Sequence, residues 1–260
     1  MTVGKVILID GDSIAYMAGI GGTQLDVCRI VDDYIERICN ITWSGKFELY
    51  VEHPKKNIFR NHVAVSRPYK GNRVKKNMTE EEKKAALEYR KRINYAKHYM
   101  VTKYNAELQV YIESEDMVAI RAYKLGLDNV IIASIDKDML QIPTEFYDYS
   151  KDSRFSITEC KAQYNFWIQV LTGDSTDNIP GLPGIGPKKA EGILECICHE
   201  DDFNDRLAYI VAREYIKKQL PFQYFVEQCR LLRMLRTSEE VYLPPISQET
   251  YEKGLTLNEE

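Results

Sequence analysis

Seven carboxylates in this 260-residue chain follow at once on short apolar runs. Asp10 closes the run from Lys5, Glu52 closes Phe47 to Val51, and Glu113, Glu115 and Asp116 follow Leu108 to Ile112. Asp136 and Asp138 follow Val130 to Ile135. A single Asp in such a place is commonly the N-cap of the next helix. Seven together are a different matter, because carboxylates gathered in one crevice repel strongly in low dielectric. Something positive must sit among them. Hard oxygen ligands without nearby His or Cys favour magnesium or manganese over zinc. Two such ions can hold an activated water and a phosphodiester for in-line attack.

The elements that must position these acids read as alternating strands and helices. The four apolar runs have strand length and β-branched character. Leu25, Cys28, Val31, Ile35, Ile38 and Cys39 fall on one side of a helix over residues 24–43, and a further helix runs from about Asp116 to Leu125. This alternation predicts an α/β fold with a mostly parallel sheet flanked by helices. Ligands of open α/β sheets bind beyond the carboxyl ends of the strands, which is where the acids lie. After about residue 155 the pattern becomes mainly helical. The expected division is therefore a core over 1–155 and a helical region over 156–260. The tail after Ser247 is polar and is expected to be loose.

Composition narrows the classes. Apolar residues make up 44% and charged residues 28%, as in a soluble globular protein. No apolar run approaches the roughly 20 residues of a membrane span, and the first residues lack the core of a secretion signal. The six cysteines are scattered and read as reduced thiols, so a cytoplasmic location is expected, in the host if the chain is phage-encoded. Cys196, Cys198 and His199 are close in sequence, but no second ligand pair follows at zinc spacing. The net charge of −4 hides an asymmetry: Pro54 to His98 holds 14 Lys or Arg against 4 Glu, a local +10 that leaves −14 elsewhere. A basic block can bind phosphates while acids elsewhere gather metal ions. Within the block, Thr79 and Glu82 form a capping box. Ala86, Tyr89, Ile93, Ala96 and Met100 then form one helix face, with Lys83, Arg90 and Lys97 every seventh residue on another.

One segment is highly specific. Gly173 to Ala190 reads GDSTDNIPGLPGIGPKKA, an acidic pair joined to a glycine-rich turn. It resembles the corresponding stretch of the 5′ nuclease family, which includes flap endonucleases, phage 5′–3′ exonucleases and the 5′ nuclease domain of bacterial DNA polymerase I. Glu113-Ser-Glu-Asp116 is similar to that family's Glu-Ala-Asp-Asp element. Asp136-Lys-Asp138 is similar to its Asp-x-Asp element, and Tyr69-Lys-Gly-Asn-Arg73 resembles the base of its helical arch. The resemblance covers about residues 5–195.

The resemblance adds Asp174 and Asp177 to the acids. It implies one metal group of Asp10, Glu52, Glu113, Glu115 and Asp116, and a second of Asp136, Asp138, Asp174 and Asp177. Glu52 and Glu115 stand where the family usually has Asp, and each is one methylene longer. Lys70 and Arg73, one turn apart, are the expected catalytic cations near the scissile phosphate. Arg60 matches another basic position that would hold DNA substrate or structure, and Tyr16 resembles an aromatic that stacks on a terminal base. The resemblance makes residues 66–100 an arch for single-stranded 5′ ends, lined by Lys83, Arg90 and Lys97. Gly181, Gly184 and Gly186 permit a tight hairpin between two helices over about 177–195, where Lys188 and Lys189 add charge for duplex phosphates and the family often holds potassium. The expected function is a free-standing, monomeric 5′–3′ exonuclease or flap endonuclease of replication or repair. It would use two or more magnesium or manganese ions and act on 5′ ends, flaps and nicks to leave 5′ phosphates. The alternatives are a ribonuclease acting on RNA–DNA hybrids and an inactive structure-specific DNA-binding protein.

Overall fold

The computed structural model describes residues 4–43, 45–54, 58–73, 78–194 and 203–256. The chain forms two compact units. The first, here the sheet unit, comprises Met1–Ile58, Lys75–Ile157 and Met234–Ser238; the second, the helical unit, comprises Phe59–Val74, Thr158–Arg233 and Glu239–Glu260. The sequence reading divides the chain once, near residue 155, whereas Phe59–Val74 packs with the later helices.

In the sheet unit, β1 (Val6–Asp10), β2 (Phe47–Glu52), β3 (Glu107–Gln109), β4 (Val130–Ala133), β5 (Glu145–Asp148) and β6 (Ser153–Ser156) form one sheet in the order β3-β2-β1-β4-β5-β6. All neighbours are parallel except β5 and β6, which form an antiparallel hairpin. The order reverses between β1 and β4. That switch opens a crevice beyond the carboxyl ends of these two strands, the usual ligand position in such sheets. Helices α1 (Gly11–Ala18), α2 (Gln24–Thr42), α4 (Glu80–Tyr104) and α5 (Ser114–Leu125) flank the sheet. The Thr79–Glu82 capping box is present at the start of α4, and a second one, Thr23 with Asp26, starts α2. Ile93, Ala96 and Met100 of α4 enter a core with Ile7, Ile9, Val31 and Ile35. Gly11 lets α1 start close against β2, since a Cβ there would lie 2.8 Å from the Tyr50 carbonyl oxygen.

The helical unit contains α3 (Arg60–Val63), α6 (Glu159–Thr172), α7 (Pro187–Ile193), α8 (Phe203–Lys217), α9 (Phe222–Leu232) and α10 (Gln248–Thr256). Its core is aromatic: Phe166, Trp167, Tyr215 and Phe225 are all fully buried. Gly173 (φ 68°) and Gly181 (φ 60°) cross so closely that a Cβ on either would run into the other's backbone. The glycines therefore permit the turn between α6 and α7.

Two expectations need correction, and one element went unread. The third strand ends at Gln109, short of Ile112. It is an edge strand whose pairing with β2 reaches Gln109, and Val110 beyond it is exposed. The hairpin β5–β6 escaped the periodicity because β6 is polar. The tail after Ser247 is ordered as far as α10: Tyr251 is fully buried, stacks on Phe225 and donates a hydrogen bond to the Leu220 carbonyl. Burying one such ring outweighs a polar surround, being worth about 2 kcal/mol or more. Cys196, Cys198 and His199 lie outside the described residues.

Candidate metal centre and nucleic-acid interface

The carboxyl ends of β1, β2 and β4 and the start of α5 bring acids into one region of the sheet unit. Asp10 is the last residue of β1 and Glu52 the last of β2. Glu113 is the N-cap of α5 and Glu115 lies in its first turn. Carboxylate oxygens of Glu52, Glu113 and Glu115 lie within 4.8 Å of one another. Among the described residues this is the one trio of potential metal ligands so close together. Three carboxylates and no His or Cys make a donor set for a hard divalent cation. The set fits magnesium, manganese or calcium, and the extra methylene of Glu52 and Glu115 does not prevent convergence.

Asp10 stands beside this trio at zero exposure. Its carboxylate caps α1 through the Asp12 N–H and accepts from the hydroxyls of Ser13, Ser114 and Ser134. Burial still dominates and pushes its pKa up, with the Glu52 charge adding to the effect. The helix-cap role is thus realised, and Asp10 also lies near enough to Glu52 for the two charges to interact. Asp116 is also fully buried and accepts from the Leu235 N–H. The Asp136 carboxylate caps the short turn Lys137–Gln141 by accepting from the Asp138 N–H, and its own N–H donates to the Ser134 hydroxyl oxygen.

Sequence reasoning missed Asp12. Its side chain is buried, and burial together with the Glu52 charge pushes its pKa up to about 8, against the lowering effect of Lys97. Asp12 Oδ2 accepts from Lys97 Nζ at 2.5 Å and its Oδ1 accepts from the Glu52 N–H at 2.7 Å. The signal lay in the Asp-Gly-Asp spacing, which points the second acid into the first turn of α1. Ser114 and Ser134 were likewise legible only as neighbours of acids.

In the helical unit, Asp174 and Asp177 lie in the turn after α6. Asp174 is buried and accepts from the Thr176 and Asp177 N–H groups. Asp177 meets Arg73 at 2.6 Å, the Tyr69 hydroxyl at 2.6 Å and Lys70 Nζ at 3.6 Å. Lys70 and Arg73 therefore do point the same way, onto a shared carboxylate. They lie on a turn and a short 3-10 segment, Gly71–Arg73. Lys70 sits at φ 54°, a left-handed conformation held by its N–H bond to the Asp177 carbonyl at 2.8 Å. Such local strain persists only where the surroundings impose it.

Two predicted interface residues are corrected. Lys97 does not line an open basic face. It is 8% exposed, because positions 93, 96, 97 and 100 fall at i, i+3, i+4 and i+7 on the buried stripe of α4. Arg60 is 3% exposed and donates to the carbonyls of Leu231 and Arg233 at the end of α9, so it is a helix-terminus tie. Lys83 and Arg90 remain exposed on α4, with Lys83 paired to Glu80 one turn away. Tyr16 is 48% exposed at the end of α1, where its carbonyl accepts from the Tyr89 hydroxyl of α4. Gly184 takes a positive φ of 81°, Gly186 caps α7, and Lys188 and Lys189 are exposed on it.

No family model matches the chain. In sequence it is 32% identical to DNA polymerase I of Rhizobium leguminosarum over 135 residues, covering 47% of this chain and 13% of that protein. It is 37% identical to a 5′-3′ exonuclease of Buchnera aphidicola subsp. Schizaphis graminum over 95 residues, covering 32% of this chain and 33% of that one. It is 32% identical to the flap endonuclease Xni of Pseudoalteromonas translucida over 136 residues, covering 46% and 52%. The chain thus spans well under two thirds of the length of these curated relatives. In structure it superposes on the bacteriophage T5 flap endonuclease, solved with DNA and metal ions, with a TM-score of 0.61, 17% identity and 97% of both chains covered. The zinc-bound T5 5′-exonuclease gives 0.62 at 18% identity, again over 97% of both chains. The chain is therefore a sequence relative of proteins named 5′-3′ exonuclease, flap endonuclease Xni and DNA polymerase I, and it has the fold of the T5 5′-exonuclease.

Proposed function

We propose that the chain is a metal-dependent, structure-specific 5′ nuclease that hydrolyses DNA phosphodiesters and leaves 5′ phosphates. The observation that carries this reading is the convergence of Glu52, Glu113 and Glu115 at the ligand-binding edge of a parallel sheet, next to two acids whose pKa values burial raises. Magnesium or manganese, two ions or more, would supply an activated water and stabilise charge on the phosphate. Glu52, Glu113 and Glu115 would hold one ion with Asp10 and Asp116 beside them; Asp136 and Asp138 in the sheet unit, and Asp174 and Asp177 in the helical unit, are the further acids of this reading. Lys70 and Arg73 would exchange Asp177 for the phosphate and stabilise its developing charge. Their shared aim at one carboxylate supports that role.

For substrate, Lys83 and Arg90 on α4 would guide a single-stranded 5′ end past Tyr16, whose half-exposed ring suits base stacking. Gly181, Gly184 and Gly186 would shape a helix-hairpin-helix, and Lys188 and Lys189 would hold duplex phosphates. A potassium ion on backbone carbonyls of that turn belongs to the same reading, as do action as a monomer and work in the cytoplasm. Cleavage mapping tests it, with 5′-labelled flaps, nicked duplexes and matched RNA–DNA hybrids in magnesium, manganese and EDTA. Metal-dependent cuts near the flap junction or from the nicked 5′ end are expected. Preferred loss of the hybrid's RNA would move the substrate to RNA. Binding without cleavage in either metal would leave a structure-specific binding protein.

A further inference from the structure

Lys97 stands out among the cations of α4 because it is buried while Lys83 and Arg90 are exposed. Its ammonium donates to Asp12 Oδ2 at 2.5 Å and to the Glu52 carbonyl oxygen at 3.2 Å. Asp12 Oδ1 in turn accepts from the Glu52 N–H at 2.7 Å. The pair therefore closes on both main-chain polar groups of one residue, and that residue ends β2 and contributes to the carboxylate trio. A glutamate has three side-chain torsions, so where its carboxylate arrives depends on how its backbone is held. Parallel pairing with β3 gives Glu52 only one neighbour at its strand end, Gln109.

We propose that Lys97 and Asp12 are a positioning pair that fixes the backbone of Glu52 so that its carboxylate meets those of Glu113 and Glu115 around a divalent cation. The inference rests on reading the trio as a metal site. It assigns neither residue to the metal itself. It also gives the cation site and the basic helix α4 one shared anchor.

Charge alone predicts something different. Removing Lys97 takes a cation away from the site and would tighten metal binding, so a single substitution mixes two opposite effects. The double variant Asp12→Asn/Lys97→Met removes the ammonium together with its carboxyl partner, so neither group is left buried without the other. The Asn oxygen can still accept from the Glu52 N–H, while the bond to the Glu52 carbonyl is lost. Replacing a buried ion pair by neutral groups of similar size is often neutral for stability. Outer-shell partners of metal ligands typically contribute 10–100-fold in affinity.

The test is calorimetric titration of manganese into the full-length chain without nucleic acid, with denaturant unfolding in EDTA as the control. The expected result is roughly tenfold weaker binding in the double variant, with unfolding midpoints close to wild type. Equal affinity in the two proteins would overturn the positioning role while leaving the metal site in place. Absence of saturable binding by the wild-type chain would overturn both, and so separates the two failures. If the double variant unfolds more easily, Lys97→Arg serves instead: it keeps the charge and changes the geometry, and unchanged manganese affinity would likewise overturn the proposal.

Discussion

The two acidic regions of the molecule solve the same electrostatic problem in opposite ways. In the helical unit, Asp177 is met by a guanidinium, an ammonium and a tyrosine hydroxyl. In the sheet unit, Asp10, Asp12 and Glu52 are buried together, and Lys97 pairs with Asp12. Burial costs a charged group its hydration, and a like charge nearby adds to the cost. The helical unit offsets this with its own cations. In the sheet unit burial prevails and raises the pKa of both Asp10 and Asp12.

The largest effect expected from this contrast is on chemistry. Glu113→Gln should lower magnesium-dependent cleavage by several orders of magnitude, since it removes a charge from the trio. The same variant should unfold no more easily than wild type in EDTA, because it relieves repulsion. Denaturant unfolding alongside a cleavage assay reads both, and a stability loss matching the activity loss would break the contrast.

Next comes the dependence on pH and metal. Asp12 binds its proton more tightly in the folded chain, at about 8 against an ordinary 3.8, and Asp10 shifts the same way. The Asp12 contribution is full below the unfolded value and is lost as pH climbs towards 8, and that of Asp10 falls with rising pH in the same direction. Metal-free protein should therefore be more stable at pH 5 than at pH 8. A divalent cation at a hundred times its dissociation constant should restore about 2.7 kcal/mol, and more visibly at pH 8. Stability in EDTA that rises over this range would contradict the picture.

The helical unit should behave in the reverse sense. Asp177→Asn leaves Lys70 and Arg73 facing a neutral group and should cost about 1–2 kcal/mol, an amount limited by the exposure of Arg73. Added divalent metal should change that loss little. The smallest effect belongs to the exposed face of α4. Lys83→Ala should alter stability by less than about 0.5 kcal/mol, while reducing the salt slope of DNA binding by about 1.

Much of this was legible in the sequence because it depends on local pattern. Buried parallel strands write themselves as short β-branched runs, and the capping box of Thr79 and Glu82 marks the start of α4 to the residue. The acids at strand ends could be grouped because α/β topology sends all such ends to one edge. What stayed hidden depends on partners far apart in sequence. Lys97 and Arg60 look like interface cations until the fold shows what they touch: Asp12 lies 85 positions from Lys97, and Leu231 lies 171 from Arg60. Tyr251 sits in a polar tail and docks through one ring, which no periodicity reports.

The central claim is that the trio at the sheet edge is a cation site. Anomalous scattering from manganese-soaked crystals tests it without recourse to activity. The account predicts a peak at roughly 2–2.6 Å from carboxylate oxygens of Glu52, Glu113 and Glu115. Saturating manganese with no peak there, or with one only beside Asp177, would contradict it.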